Sequence, residues 1–216
     1  MKIDFHVHTA YSLDSSNDPL KVGLLAEAKG LDYIAITDHN TIKGALKALN
    51  SKYSEHIILG EEILTDRGEV IGLFLRREIK PGKLSRVISE IRDQGGIVML
   101  PHPFDSFRGK ALRPAKSDSK YFDLVEGFNS RCLLQRFNLK AQRYAMLTGL
   151  KMTAGSDAHH PFEIGNAYVE FRCDDPREAL YKEQGRIFGV RTQIYSLPAS
   201  FFLSRTRKIL RALSLK

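Results

Sequence analysis

The sequence predicts an α/β fold: a mostly parallel sheet covered by helices, with the functional residues at one end of the strands. Three observations carry this expectation. Short β-type runs alternate with helical patterns over most of the chain, as strand–helix–strand units require. About seven such units fall within roughly 200 residues, which suits a closed or nearly closed (β/α) barrel, with a doubly wound open sheet as the alternative. The composition, 43% hydrophobic and 27% charged over 216 residues, is that of a globular chain and excludes general disorder.

The elements follow in order. Lys2–His6 (KIDFH) is a brief opening strand. Pro19–Lys29 reads as a helix, with Asp18 as N-cap, Pro19 at its first position and Gly30 as its stop. Asp32–Thr37 (DYIAIT) is a mostly apolar strand, and Thr41–Asn50 is a second helix. His56–Leu59 leads to Gly60-Glu61-Glu62, and Glu69–Leu75 (EVIGLFL) pairs back as a hairpin across Asp66-Arg67-Gly68. Lys83–Gln94 is a helix ended by Gly95-Gly96, and Ile97–Leu100 (IVML) runs straight into Pro101-His102-Pro103. Gly109–Ser119 has the composition of a loop. Asp123–Phe128 is a strand, and Leu133–Leu147 is a long helix ended by Gly149. Lys151–Ala154 is a strand entering Gly155-Ser156-Asp157; Ala167–Phe171 is a further strand and Pro176–Glu183 a short helix.

The length suits one domain plus an appendage, divided here as a barrel over 1–197 and a basic tail over 198–216. No run approaches the ~18 apolar residues of a membrane span, and MKIDFHVHTAYSLD lacks the apolar stretch of a secretory signal. Two cysteines, Cys132 and Cys173, cannot form a disulfide framework, so a reducing cytoplasm is expected. The net charge of +8 is unevenly spread. Residues 1–197 carry 28 of the 33 Lys and Arg against all 25 Asp and Glu, whereas the tail carries Arg205, Arg207, Lys208, Arg211 and Lys216 with no acid. The high pI is therefore weak evidence for nucleic acid.

Imidazoles and carboxylates recur at the strand ends: His6, His8 and Asp14 after the first strand, Asp38 and His39 after the second, then Glu62, His102, Asp157 and His159. Neutral imidazole and carboxylate together are the ligands of Zn²⁺, Mn²⁺ and Fe²⁺. Residues two apart on an extended strand share a face, so His6-x-His8 and Asp157-x-His159 can each aim two ligands at one place. Taken singly these are ordinary features. His-x-His is often structural, Asp38 suits a helix N-cap, Pro-His-Pro suits a rigid turn, and Ser156–His159 an Asx-turn. Together they exceed what one ion needs, and two or three divalent ions sharing carboxylates fit better.

The motifs Asp4-Phe5-His6-Val7-His8-Thr9, Thr37-Asp38-His39, Gly60-Glu61-Glu62, Pro101-His102-Pro103 and Gly155-Ser156-Asp157-Ala158-His159 resemble, in order and spacing, those of the PHP superfamily, the polymerase and histidinol phosphatase domains. The resemblance covers most of residues 1–171. It implies a distorted (β/α)7 barrel, a di- or trinuclear metal cluster at the C-terminal ends of the strands, and hydrolysis of phosphate esters. It assigns His6, His8, Glu62 and Asp157 to a first ion, Glu62 and His102 to a second, and Asp14, His39 and His159 to a third. Asp14 is the looser match, because many relatives have Ser-Asp directly where this chain has Ser12-Leu13-Asp14. Asp38 is expected among the catalytic residues, orienting a ligand from behind. Many trinuclear relatives carry another His on the strand after the Glu. Here Gly68–Phe74 (GEVIGLF) has none, so the second site is expected to be short of a ligand, completed by water, or empty.

Arg131 is the expected phosphate-binding residue, from the resemblance of Glu126–Arg131 to the family's Glu-x-x-Asn-Ser-Arg segment; an ion pair with a nearby carboxylate is the alternative. Asn129 is expected to position substrate or to hold its loop. The loop Phe104–Lys120 carries Arg108, Lys110, Arg113 and Lys116 and could steer an anion or simply be solvated. His160 is a general acid or a surface residue. The expected reaction is hydrolysis of a phosphomonoester or terminal phosphodiester of a small metabolite or nucleotide by hydroxide generated at the metals, with charge stabilised by the ions and Arg131. Two alternatives are a nuclease or phosphodiesterase acting on nucleic acid and a non-catalytic, metal-stabilised binding module. Ser200–Lys216 has helical periodicity, with Phe202, Ile209, Leu210 and Leu213 on one side and Arg207, Lys208 and Arg211 on the other.

Overall fold

The computed structural model describes residues 1–192 together with Ser200, Leu203, Arg205, Thr206 and Arg207. Its first half contains β1 (Lys2–Val7), α1 (Val22–Ala28), β2 (Tyr33–Ile36), α2 (Lys43–Ala48), β3 (Ile57–Thr65), β4 (Gly68–Leu73) and α3 (Leu84–Asp93). The second half contains β5 (Ile97–Leu100), β6 (Leu124–Asn129), α4 (Gln135–Thr148), β7 (Lys151–Gly155), β8 (Ala167–Glu170), α5 (Pro176–Lys182) and β9 (Arg186–Gly189).

These strands form one sheet in the order β7-β6-β5-β4-β3-β2-β1-β8-β9. Pairings β1–β2, β2–β3, β5–β6 and β6–β7 are parallel, while β4 runs antiparallel to both neighbours. After β7 the chain returns to the end of β1. Asp157 N donates to His6 O at 2.7 Å and His8 N to Ala158 O at 3.0 Å. Strands β1–β7 therefore make a nearly closed barrel, distorted by the inverted β4. The open doubly wound alternative is not adopted. Strands β8 and β9 extend the sheet from β1 as an antiparallel pair.

Strand alternation builds the core. Ile3, Phe5, Ala35, Ile58, Ile71, Leu73, Ile97, Met99 and Ala154 pack together inside the barrel. The intervening residues face outward under helices: Val70, Val98, Leu100 and Val125 pack with residues of α3 and α4, and Val7, Ile34 and Ile36 with Val22 and Ala26 of α1 and Ala45 and Ala48 of α2. This is the period-2 pattern of a sheet buried on both faces.

Three local expectations shift. Helix α1 starts at Val22 rather than Pro19, because Asp18 closes a turn of its own, accepting Leu20 N on Oδ1 at 3.0 Å and Lys21 N on its carbonyl at 2.9 Å. Part of the expected 109–119 loop coils into a 3₁₀ turn at Lys116–Tyr121. Strand β9 was not foreseen; its register on β8, Tyr168 opposite Phe188, holds it. Gly149 ends α4 as expected, at φ +73°. No helix among the described residues is long and apolar enough to cross a membrane. In the tail, Ser200, Leu203 and Arg205–Arg207 are helical, and Arg207 Nη1 donates to Ser15 O at 2.6 Å. Phe202, Lys208, Ile209, Leu210, Arg211 and Leu213 lie outside the described residues.

Candidate metal centre

All eight expected ligands converge on one mouth of the barrel. Nε2 of His6 and Nε2 of His8 stand 3.0 Å apart. Asp157 Oδ1 lies 3.2 Å from His8 Nε2 and 3.6 Å from His6 Nε2. Glu62 reaches both sides, with Oε1 at 2.9 Å from His102 Nε2 and 3.7 Å from His6 Nε2, and Oε2 at 2.8 Å from His39 Nδ1 and 3.6 Å from His8 Nε2. Asp14 Oδ2 sits between His159 Nε2, at 3.4 Å, and His39 Nε2, at 3.6 Å.

The surrounding acceptors dictate which imidazole nitrogens are free. His6 Nδ1 meets Glu126 Oε1 at 3.0 Å, and His159 Nδ1 meets its neighbour's carbonyl, Asp157 O, at 2.8 Å. His8 Nδ1 meets Ser12 Oγ at 3.2 Å, and that hydroxyl already donates its proton to Asp38 Oδ1 at 2.6 Å. Each Nδ1 must therefore donate, and each Nε2 is the ring nitrogen turned toward the centre. This is the backing that metal-ligating histidines receive.

Ring nitrogens and carboxylate oxygens crowded this closely call for positive charge between them. Asp157 Oδ1, Asp14 Oδ1, His39 Nδ1 and His102 Nδ1 are buried with no hydrogen-bond partner among the described residues. Four triads each place one ligand atom per residue within 4.8 Å of the others: His6/His8/Asp157, His6/Glu62/His102, His8/His39/His159 and His39/Glu62/Glu69. The electrostatics agree. Burial, reinforced by His159 and His39, pushes the His8 imidazole down to about 3, so it stays neutral. Despite burial, Arg108 and His6 hold the Asp157 carboxyl well below the usual carboxylate range, and His6 and His39 do the same for Glu62. Despite burial, Asp157 and Glu126 raise the His6 imidazole well above its ordinary range, and Glu62 and Asp14 do the same for His39, so without an ion these two hold protons that a divalent cation would replace. The donor set fits.

Asp38 does not face this centre. Its oxygens accept Thr9 N at 2.7 Å, Thr9 Oγ1 at 2.6 Å and Ser12 Oγ at 2.6 Å. It positions the 9–12 loop and, through Ser12, His8 and the His39 backbone N–H. A Cβ on Gly44 would stand 1.9 Å from Asp38 Oδ2, so this glycine gives the carboxylate its room. Asn129 is likewise enclosed. Its Nδ2 donates to Glu126 Oε2 at 3.0 Å and Asp157 Oδ2 at 3.2 Å, and its Oδ1 accepts Arg131 N at 2.9 Å. Of its two expected roles, this geometry is that of holding loop and ligand. Arg131 forms the ion pair named as its alternative: Nη1 meets Glu163 Oε1 at 3.1 Å and Oε2 at 3.0 Å, and Nη2 meets Ser200 Oγ at 3.2 Å. His160 Nδ1 meets Ser16 Oγ at 2.9 Å and its Nε2 meets Ser200 Oγ at 3.1 Å.

Three residues of the centre escaped the sequence reading as site residues. Glu69 places Oε1 3.8 Å from His39 Nδ1 and Oε2 4.0 Å from His102 Nε2. The stretch without an imidazole thus brings a carboxylate to the centre, grouped with His39 and Glu62. Glu126 backs His6 and accepts the His102 backbone N–H at 2.6 Å. Arg108, read only as part of a basic loop, places Nη2 2.6 Å from Asp157 Oδ2. A cavity of about 470 Å³ opens over the centre, with Asp14, His39, Glu69 and His159 at one side and Phe107, Arg108, Lys110, Arg131 and Leu133 among its other walls.

Comparison with known proteins agrees with this geometry. The PHP domain model matches residues 4–70, and the PHP-associated model matches residues 135–183. The uncharacterized protein MJ0417 of Methanocaldococcus jannaschii is 42% identical over 203 residues, spanning 89% of this chain and 81% of that protein. A second uncharacterized protein of the same organism, MJ1587, is 38% identical over 147 residues, 60% of this chain and 82% of its own length. Among solved structures, a two-domain protein from Bacteroides vulgatus containing a predicted PHP-like metal-dependent phosphoesterase superposes with a TM-score of 0.71 at 20% identity, over 93% of this chain and 69% of that one.

Proposed function

The chain belongs to the PHP domain family, and on that premise we propose that it is a metal-dependent phosphoesterase acting on a small phosphorylated metabolite or nucleotide. The carrying observation is the convergence of the His6 and His8 Nε2 atoms with ionised Asp157 and Glu62 beneath an open cavity. In this reading His6, His8 and Asp157 hold one ion, Glu62, His102 and Glu69 a second, and Asp14, His39 and His159 a third. Mn²⁺, Fe²⁺ and Zn²⁺ all suit such imidazole and carboxylate donors. When bound, divalent ions supply Lewis acidity at phosphoryl oxygens and lower the pKa of water.

The chain's own residues supply the rest. Glu126, Ser12 and the Asp157 carbonyl fix the Nδ1 protons, so the ligands need no reorganisation. Asp38 holds the loop that leads to Asp14. Arg108 and Lys110, paired with Asp157 and Glu69, bring positive charge to the cavity lining, and Phe107 and Leu133 add apolar surface for the organic part of an ester. The two free thiols, Cys132 and Cys173, suit a cytoplasmic site of action.

Metal analysis of protein purified without chelator, followed by a screen of phosphate esters including a generic aryl phosphate, tests this reading. Turnover dependent on Mn²⁺, Fe²⁺ or Zn²⁺ and abolished by His6→Ala and Asp157→Ala is expected. Turnover unchanged in both variants defeats it. A nucleic-acid substrate is favoured by one feature, the exposed Arg113 and Lys116 on the loop that lines the cavity. Oligonucleotide binding that falls steeply with salt would support that version.

A further inference from the structure

Two arginines line the cavity beside the metal centre, Arg108 and Arg131, and their surroundings differ. Arg131 is closed in: its side chain is 6% exposed, with Nη1 on Glu163 and Nη2 on Ser200. The Arg108 side chain is 25% exposed. Its Nε donates to Asp105 Oδ2 at 3.3 Å, and its Nη2 donates to Asn129 Oδ1 at 3.3 Å and forms an ion pair with Asp157 Oδ2 at 2.6 Å. A guanidinium carries five N–H donors. These contacts occupy Nε and Nη2, and no partner among the described residues engages Nη1.

We propose that Arg108 is the residue that receives the substrate's phosphoryl oxygens beside the metal centre, with Asp105 and Asp157 holding its guanidinium in place. The phosphate identity of this ligand rests on the phosphoesterase reading above. The loop is built to aim the side chain. Asp105 is buried; its Oδ1 accepts Phe107 N at 3.0 Å, its carbonyl accepts Arg108 N at 3.2 Å, and its own N donates to His102 O at 3.4 Å. One segment thus carries a metal-ligand candidate, His102, and Arg108. The Asp157 carboxylate stands between the two chemistries, with Oδ1 toward His6 and His8 and Oδ2 toward Arg108. A guanidinium fixed through Nε and Nη2 presents its two Nη1 N–H donors to phosphoryl oxygens in a set direction, whereas a lysine offers only a flexible point charge.

The test uses inorganic phosphate titrated calorimetrically into the manganese-loaded full chain, with metal content measured in the same samples. Arg108→Ala is expected to weaken phosphate binding roughly 10- to 100-fold, the scale of a lost charge-assisted pair, with metal content unchanged. Arg108→Lys, which keeps charge and bulk if alanine does not fold, should recover only part of the affinity. Wild-type phosphate affinity retained in metal-replete Arg108→Ala or Arg108→Lys overturns the proposal. So does a variant whose lost affinity follows lost metal, since Arg108 would then act only through Asp157; so does a wild type that binds no phosphate. An arginine-dependent phosphate affinity in a protein that hydrolyses no phosphate ester would sustain the Arg108 site and defeat the phosphoesterase reading instead.

Discussion

Glu69 Oε1 and His39 Nδ1 lie 3.8 Å apart at the barrel mouth, although Glu69 opens a strand rather than closing one. Because β4 runs antiparallel to β3 and β5, its first residues lie beside the last residues of its neighbours. If Glu69 ligates an ion there, Glu69→Gln should weaken the second manganese equivalent by about 100-fold or more, beyond the 10- to 100-fold typical of an outer partner. Titration of Mn²⁺ into chelator-stripped protein reads this directly. Unchanged stoichiometry and affinity would remove Glu69 from the centre.

Removing metal should destabilise the fold. An ion present at 100 times its Kd stabilises the native state by about 2.7 kcal/mol per site. For a domain of this size each kcal/mol moves Tm by about 2–4 °C. Chelation should therefore lower Tm by at least about 5–10 °C in a thermal melt, and re-addition of Mn²⁺ should restore it. Identical melts with and without chelator would speak against a loaded centre.

The Arg131–Glu163 pair is fully enclosed, and Glu163 Oε2 also accepts His159 N at 2.7 Å and His160 N at 2.9 Å. Breaking a buried pair strands a charge, at about 3–5 kcal/mol. Glu163→Gln should lower the urea midpoint by a corresponding amount and loosen the His159 turn. A loss under about 1 kcal/mol would mean that water reaches Arg131.

Glu61, next to Glu62 in β3 but turned toward Ile79, offers a pH test. Its Oε2 accepts Ile79 N at 2.9 Å while Oε1 is buried without a partner among the described residues. Burial, with help from Glu78 and Glu90, pushes its carboxyl up to about 8. The folded state therefore holds a proton that the unfolded state releases. Its contribution to stability is complete below about 4.5 and declines as pH rises toward about 8, by at most about 1.4 kcal/mol per pH unit. Glu61→Gln should flatten this decline in urea melts between those limits; parallel pH profiles for the two proteins would refute it.

Gly155 holds a close approach. A Cβ there would meet His6 Cβ at 2.3 Å and Glu126 Oε1 at 2.6 Å. Gly155→Ala should displace His6 from Glu126 and cost metal affinity at least as much as Glu126→Gln, about 10- to 100-fold. Equal metal binding in the alanine variant would show that β1 and β7 can part without loss.

Much of the centre was legible because its ligands follow local rules. His6-x-His8 and Asp157-x-His159 share faces through strand pleating, and His102 and His39 come within two or three residues of the end of an apolar run. Arg131 was legible only as a choice: the segment Glu126–Arg131 reads equally well for phosphate or for a carboxylate, and Glu163, which takes it, is distant in sequence. Arg108 was hidden by its setting in a loop of general basic character, with nothing local to mark which cation meets Asp157.

The sequence by itself determined the strand and helix alternation, the hairpin of β3 and β4 and the recurrence of imidazoles and carboxylates at strand ends, since each depends on periodicity or spacing within a short segment; the choice of eight ligands among them came from the family resemblance. Only the tertiary structure decided the near-closure of β7 on β1, the approach of Glu69 to His39 and Glu62 and the different surroundings of the two arginines. Those depend on which distant segments pair. Strand direction inverts which end of a run reaches the mouth, and a buried charge takes whichever opposite charge folding brings within hydrogen-bond reach.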